Sequence, residues 1–277
     1  MLVLVGTPIG NLGDLAPRAV EALRSADAIC CEDTRRTGRL LQHAGVERPP
    51  LVVVNEHTED REVSGVLARL DRGERVAVVS DAGMPGISDP GERLVRAAVA
   101  TGHPVEVVPG PSAAVAALVA SGLATGRFVF EGFLPRKGSG RAERLAAVAA
   151  EPRTVVLYEA PHRLVRTVAD LADACGDDRQ VAVARELTKL HEEVWRGSLG
   201  EATAWVGAAA PRGEIVLVLD GAPAAEPPAD DALLDALQDE LAAGATARDA
   251  ARAVAARLDV PRRRAYDLAT RLAASDA

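Results

Sequence analysis

Residues 76–91 constrain this chain more than any other stretch. An uninterrupted apolar run, Val76-Ala77-Val78-Val79, leads into Ser80-Asp81-Ala82-Gly83-Met84-Pro85-Gly86-Ile87-Ser88-Asp89-Pro90-Gly91, and an apolar-periodic helical pattern begins at Glu92. Three glycines, two prolines, two serines and two aspartates are more breakers than a simple connection needs. A buried parallel strand ending in such a loop lies at the carboxyl edge of an open α/β sheet, where such sheets bind their ligands. Glycine there lets backbone groups approach a ligand that a Cβ would hold off. Small residues and acids suit a ligand with an adenosyl or amino-acid part better than one with bare phosphates.

The same punctuation recurs along the first half of the chain. The pattern predicts strands over residues 2–5, 28–31, 51–54, 76–79 and 105–108, alternating with helices over 17–25, 34–43, 59–70 and from 113 to Ser121. That rhythm is the one of parallel strands joined by crossover helices. Each strand ends in small, polar or acidic residues: Thr7-Pro8, Glu32-Asp33, Asn55-Glu56-His57, Asp81-Ala82-Gly83 and Pro109-Gly110-Pro111-Ser112. Five such ends on one sheet edge make a cleft.

The second half changes character. Strands are expected at 128–131, 154–158 and 215–219, with 180–187 and 191–197 close enough in sequence to pair antiparallel, so this sheet is expected to be mixed. A basic loop, Gly132-Phe133-Leu134-Pro135-Arg136-Lys137-Gly138-Ser139-Gly140, precedes a helix. The expected fold is therefore α/β, with an N-terminal α/β domain over 1–115, a C-terminal α/β domain over 116–221 and a cleft between them. Asp220-Gly221-Ala222-Pro223-Ala224-Ala225-Glu226-Pro227-Pro228 reads as a linker, assigned to 222–229. Beyond it a helical tail, 230–277, carries helix–turn–helix spacing around Asp259-Val260-Pro261, with a plain helical cap as the other reading.

Composition removes several function classes. No apolar run approaches the roughly 20 residues that cross a bilayer. The opening Met1-Leu2-Val3-Leu4-Val5-Gly6 lacks a basic leader and reads as a first strand. Three cysteines, Cys30, Cys31 and Cys175, have no metal-binding spacing, which points to a reducing cytoplasm without a disulfide framework. A net charge of −8 argues against bulk nucleic-acid binding but not against a local basic patch. No G-x-G-x-x-G follows a strand, and neither a Walker loop nor a G-x-S-x-G elbow is present. No metal is expected.

Five motifs occur in order: Thr7-Pro8-Ile9-Gly10-Asn11-Leu12, Cys31-Glu32-Asp33-Thr34-Arg35, Ser80-Asp81-Ala82-Gly83-Met84-Pro85, Val108-Pro109-Gly110-Pro111-Ser112-Ala113 and Tyr158-Glu159-Ala160-Pro161-His162-Arg163. Together they resemble the tetrapyrrole-methylase-like superfamily over residues 2–220, and within it the bacterial 16S rRNA cytidine 2′-O-methyltransferase branch. The resemblance implies S-adenosylmethionine held between two α/β domains, a homodimer, and 16S rRNA of the small ribosomal subunit as partner. Carried over by position, it implies cofactor contacts at Pro8, Asp81, Ala82, Gly83, Met84, Ile87, Ser112, Ala113, Glu159, Glu186, Leu187, Glu214 and Ile215. Tetrapyrrole enzymes carry Gly-Gly-Asp-Pro where this chain has Ala82-Gly83-Met84-Pro85, which disfavours a corrin or sirohaem substrate. A non-catalytic RNA-binding factor on the same fold is the remaining alternative.

Methyl transfer to a ribose hydroxyl needs positioning and a group that takes the 2′-proton. The candidate bases or hydrogen-bond partners are Asp33, Glu56, His57, Glu186 and Lys189, of which Lys189, Asp33 and Glu56 are the catalytic candidates. Lysine occurs only at 137 and 189 in a chain that otherwise uses arginine. Burial near positive groups would lower the Lys189 amine toward neutrality, where it could accept a proton; the competing reading is that Lys189 caps a turn or pairs with Glu186 or Glu192. Asp33 has a competing reading as a helix cap. Arg35, Arg36, Arg136, Lys137 and Arg163 are the expected RNA contacts, the basic loop clamping a single strand beside Phe133.

Overall fold

The structure is a computed structural model that describes residues 1–55, 58–209, 212–223 and 228–275. The chain divides into two compact units, Met1–Ala222 and Pro223–Ala277.

The first unit contains two five-stranded sheets. Strands β1 (Leu2–Val5), β2 (Ala28–Cys31), β3 (Leu51–Val53), β4 (Val76–Val78) and β5 (Val105–Val108) form a fully parallel sheet in the order β3-β2-β4-β1-β5. Helices α1 (Pro17–Arg24), α2 (Thr34–His43), α3 (Glu59–Asp71) and α4 (Glu92–Ala100) supply the crossovers. Both faces of this sheet are covered, which is why β1, β2 and β4 are apolar throughout. Val3, Val5, Ile29 and Ala77 pack with Ala19, Leu23 and Leu41 on one face. Leu2, Leu4, Cys30, Val76 and Val78 pack with Val66, Leu70, Leu94 and Ala98 on the other. The alternation follows from the two-residue period of a strand.

The second sheet, β6-β7-β10-β8-β9, is mixed as expected. β6 (Phe128–Phe133) runs parallel to β7 (Thr154–Glu159), while β10 (Ile215–Leu219) is antiparallel to both β7 and β8 (Gln180–Arg185), and β8 is antiparallel to β9 (Glu193–Ser198). α5 (Ala113–Ser121) packs Ala114, Ala117 and Leu118 against Val156, Ala182, Val216 and Val218 on one face. α6 (Ser139–Ala150), α7 (Pro161–Cys175) and α8 (Leu199–Ala209) cover the other face.

Several elements differ from the sequence expectation; β8 stops at Arg185 because Glu186 turns to φ +50°, and β9 starts at Glu193. β6 continues through Phe133 because a register shift between Phe130 and Gly132, with Gly132 at φ +62°, absorbs an extra residue. α8 was not expected; it buries Leu199, Ala202 and Val206, but its two glycines hide the helical period.

The second unit is a three-helix cluster of α9 (Asp230–Ala242), α10 (Ala247–Arg257) and α11 (Arg262–Ser275), built on Leu233, Leu237, Val254, Ala265 and Leu268. The expected linker at 222–229 lies partly outside the described residues.

Candidate functional site

Two backbone contacts shape the carboxyl edge of the parallel sheet. Thr7 N–H donates to the Gly83 carbonyl at 2.8 Å and Gly83 N–H returns a bond to the Thr7 carbonyl at 3.1 Å, with Gly83 at φ +82°. Gly6 meets Gly110 backbone to backbone: a Cβ on Gly6 would lie 2.6 Å from Gly110 Cα. Close approach without a Cβ is what lets the loops after β1, β4 and β5 converge.

Those loops and the facing ends of the second sheet enclose a cleft of about 370 Å³. Of the residues expected at a cofactor, Asp81, Ala82, Gly83, Met84, Ile87, Ser112, Ala113, Glu159, Leu187, Glu214 and Ile215 line it. Pro8 and Glu186 do not; the lining residue beside Pro8 is Ile9. Apolar walls come from Ile9, Ile87, Leu187 and Val216, and Phe133 and Tyr158 stand at the second sheet with ring centroids 5.7 Å apart.

The electrostatics are lopsided. Glu32, Asp81, Asp89, Glu159 and Glu214 all line the cleft, against one lining cation among the described residues, Arg36, whose Nε lies 3.4 Å from Asp81 Oδ2. Burial pushes the Glu32 carboxyl up, partly offset by Asp81 N–H donating to Glu32 Oε1 at 2.9 Å. Burial also raises Asp81 against the pull of Arg36. Asp89 is pushed up to about 7, first by burial and then by Glu32, with Asp81 and Glu214 adding smaller repulsions against a Ser80 hydrogen bond. Gly86 N–H donates to the Pro90 carbonyl at 3.0 Å, closing a tight loop with Ser88 at φ +60° next to Asp89. Asp89 and Glu32 were not singled out by sequence reasoning as site carboxylates, although both lie in quoted motifs.

The geometry bears on two of the expected proton acceptors, Lys189 and Asp33. Lys189 Nζ lies 2.8 Å from Glu186 Oε1 and 3.0 Å from Glu214 Oε2. Burial alone would push this amine down, but the two carboxylates outweigh it and hold it above the ordinary lysine value. The geometry fits the ion-pair reading of Lys189, with Glu186 as one partner and Glu214 in the place of Glu192, and not a depressed, proton-accepting amine. Asp33 is the N-cap of α2, accepting from Arg35 N–H at 2.7 Å, and that bond lowers its carboxyl. Glu56 and His57 lie outside the described residues.

Among the expected RNA contacts, Arg136 and Lys137 are exposed, and Arg35 is exposed with Asp33 as its ion-pair partner among the described residues, at 3.4 Å. Arg36 instead enters the cleft. Arg163 is held inside: its Nε lies 3.2 Å from Glu159 Oε1 and its Nη2 donates to the Leu134 carbonyl at 2.6 Å. Arg141, part of the same basic segment, is 4% exposed, donating to Asp170 Oδ2 at 2.7 Å, the Pro135 carbonyl at 2.9 Å and Thr167 Oγ1 at 3.0 Å. Thr167 in turn donates to Glu159 Oε2 at 2.5 Å. Two guanidiniums thus fasten the base of the basic loop to the buried carboxylate of Glu159 at the cleft wall. Among the described residues no group of three or more His, Cys, Asp or Glu could hold a metal ion.

The profile of the tetrapyrrole (corrin/porphyrin) methylases matches residues 1–203. The chain is 47% identical over 276 residues to a Synechocystis protein called ribosomal RNA small subunit methyltransferase I, covering 99% of each. Among solved structures it resembles the methyltransferase CobJ, with a TM-score of 0.63, 23% identity, and coverage of 80% of this chain and 94% of that one. It also resembles a Thermus thermophilus uroporphyrin-III C-methyltransferase complexed with S-adenyl homocysteine, with a TM-score of 0.54, 22% identity, and coverage of 79% and 96%.

Proposed function

The chain belongs to the tetrapyrrole (corrin/porphyrin) methylase family, in the branch of ribosomal RNA small subunit methyltransferase I, and we propose that it methylates the ribose 2′-oxygen of a cytidine in 16S rRNA with S-adenosylmethionine as donor. The observation that carries this reading is the cleft, where five carboxyls among the described lining residues face one guanidinium. Glu32 and Asp89, both raised first by burial and then by neighbouring carboxyls, have no ion-pair partner among the described residues, and a ligand bearing a sulfonium and an ammonium supplies positive charge there. The same negative field repels the carboxylate-rich side chains of a uroporphyrin-type substrate, which argues against the tetrapyrrole alternative.

Bound S-adenosylmethionine supplies an electrophilic methyl group on a positively charged sulfur. The residues have separable roles in this reading. Asp81 to Met84, Ser112 and Ala113 hold the donor through backbone and small side chains, while Ile87, Leu187 and Ile215 give apolar walls. Glu159 and Glu214 close the site from the second sheet. Pro8 sets the loop that carries Ile9, and Glu186 orients Glu214 by accepting its N–H at 2.9 Å. Asp89 is the carboxyl that takes the ribose proton, since an acceptor titrating near neutral pH is best matched to that task. Arg35, Arg136 and Lys137 hold RNA phosphates, with Arg36 at the cleft mouth.

A homodimer is part of the reading: Val115 and Val119 on α5 are 49% and 68% exposed, an apolar face that a second copy would cover. The reading also locates the protein in the cytoplasm, with its ribosomal substrate; among the described residues no helix is long and apolar enough to cross a membrane.

The test offers donor labelled on the methyl group together with small ribosomal subunits or a reduced uroporphyrin. Label in 16S rRNA supports the reading. Label in the tetrapyrrole, or in neither, removes it.

A further inference from the structure

The helical unit at the C-terminus has a polarised surface that the methylation cleft does not account for. α9 carries Asp230, Asp231, Asp235, Asp239 and Glu240, whereas α11 carries Arg262, Arg263, Arg264 and Arg271 against the single acid Asp267. α10 and α11 are joined by a tight turn over residues 258–261, with Asp259 at φ +49° and Val260 only 7% exposed. Ala265, Leu268 and Ala269 face the core of the unit. The opposite stripe of α11, Arg262, Arg263, Tyr266, Asp267, Thr270 and Arg271, is exposed.

Within that set the arginines divide by what they touch. Arg264 turns inward and donates to Asp230 Oδ1 at 2.7 Å and the Pro228 carbonyl at 2.9 Å, which holds α11 against the start of α9. Arg262, Arg263 and Arg271 have no ion-pair partner among the described residues. Tyr266 lies one turn beyond Arg262 on the same stripe and is 47% exposed. Three guanidiniums without an ion-pair partner among the described residues, and an exposed aromatic ring, spread over the exposed half of one helix and reached through a tight turn, match what a polyanion with stackable bases requires.

We propose that the exposed face of α11 is a second RNA-contacting surface, in which Arg262, Arg263 and Arg271 hold phosphates of ribosomal RNA and Tyr266 stacks on an unpaired base. This rests on the proposed rRNA substrate. Arginine is suited to the task because its planar fork grips phosphate oxygens at two points. A-form RNA has a major groove too narrow for side chains to read, so this face contributes affinity and register and no base code. The acids of α9 lie on another helix and limit indiscriminate binding of nucleic acid, in keeping with the net charge of −8.

The test compares the full-length parent with the triple variant Arg262→Ala, Arg263→Ala, Arg271→Ala, and with the charge-preserving triple lysine variant. Binding to protein-free 16S rRNA and to small subunits is measured across a salt series. The alanine variant is expected to bind both about tenfold more weakly at physiological salt. Its plot of log affinity against log salt is expected to be shallower by about 2, at roughly 0.7–0.9 per lost phosphate contact. S-adenosylmethionine affinity stays at the parental value, and the methylation defect appears in KM for RNA and not in kcat. The lysine variant recovers most of the slope, which a variant that had merely lost its fold would not do. Parental affinity and slope in the alanine variant overturn the proposal while leaving the methylation reading intact. Loss confined to assembled subunits also overturns it, because it assigns the face to a ribosomal protein. A parent that neither binds nor methylates rRNA removes both readings.

Discussion

The Glu186 carboxylate lies over the backbone of Gly213, where a Cβ would come within 2.3 Å of Glu186 Cδ. Glu186 is itself at φ +50°, and its Oε1 accepts from both Lys189 Nζ and Glu214 N–H. Gly213→Ala therefore displaces the group that orients Glu214 at the cleft. Because Gly213 is at φ +94°, the substitution also costs about 1 kcal/mol or more of stability. Calorimetry is expected to show at least a tenfold loss of donor affinity in a protein that still folds.

Lys189→Arg is expected to keep methylation within a few-fold of the parental rate. The structure holds this residue as a cation between Glu186 and Glu214, and arginine preserves that charge. The linked pH signs agree. Glu186 is lowered, mainly by the Lys189 hydrogen bond, so its contribution is present above the ordinary carboxyl pKa and is lost as pH falls. Lys189 is raised, so its contribution is complete below the ordinary lysine pKa and is lost as pH climbs beyond it. Across neutral pH the pair is constant. Single-turnover rates that collapse for Lys189→Arg while binding persists would restore the amine as a base.

Neutral-pH sensitivity belongs to Asp89. A carboxyl pushed up to about 7 binds its proton more tightly in the folded than in the unfolded chain, so the empty protein loses stability as pH rises from about 4 to about 7. A cationic ligand favours the ionised form, so donor affinity is expected to rise over pH 6 to 8 with release of a proton. Titration calorimetry in two buffers of different ionisation enthalpy reads that proton directly. Asp89→Asn is expected to abolish both the release and the slope, and to lower kcat by about 10²-fold or more, the usual range for a lost proton acceptor.

The parallel sheet and its cleft were legible because Gly, Pro and Asp mark strand ends whatever the tertiary partner, as at Thr7-Pro8 and Ser80-Asp81. The charge balance inside the cleft was not. Glu32 and Asp89 come from different loops, and only the folded chain brings their carboxyls close enough to repel. The surroundings of the basic segment were hidden for the same reason. Counting arginines along 136–144 cannot reveal that Arg141 turns inward to Asp170 and Thr167, or that Arg144 pairs with Glu131 at 3.0 Å. α8 escaped notice because Gly200 and Gly207 interrupt a helix whose buried face is its only regular signal.

Arg141 and the pair Arg136/Lys137 are expected to behave oppositely. Arg141→Met removes the buried partner of Asp170 and is expected to destabilise the protein by about 3 kcal/mol, seen as a lower urea midpoint. Arg136→Ala with Lys137→Ala is expected to leave that midpoint unchanged, and to flatten the salt dependence of RNA binding by about 1.4 for two single-strand phosphate contacts. Equal salt slopes for parent and double variant would detach the loop from RNA.

The most direct test of the account locates the transferred methyl group. Small subunits from a strain lacking the protein are methylated in vitro, and the 16S rRNA is hydrolysed in alkali. A methyl on the 2′-oxygen blocks the attack that cleaves the chain, so the account predicts an alkali-resistant dinucleotide beginning with a methylated cytidine. A labelled mononucleotide carrying the methyl on its base would contradict it.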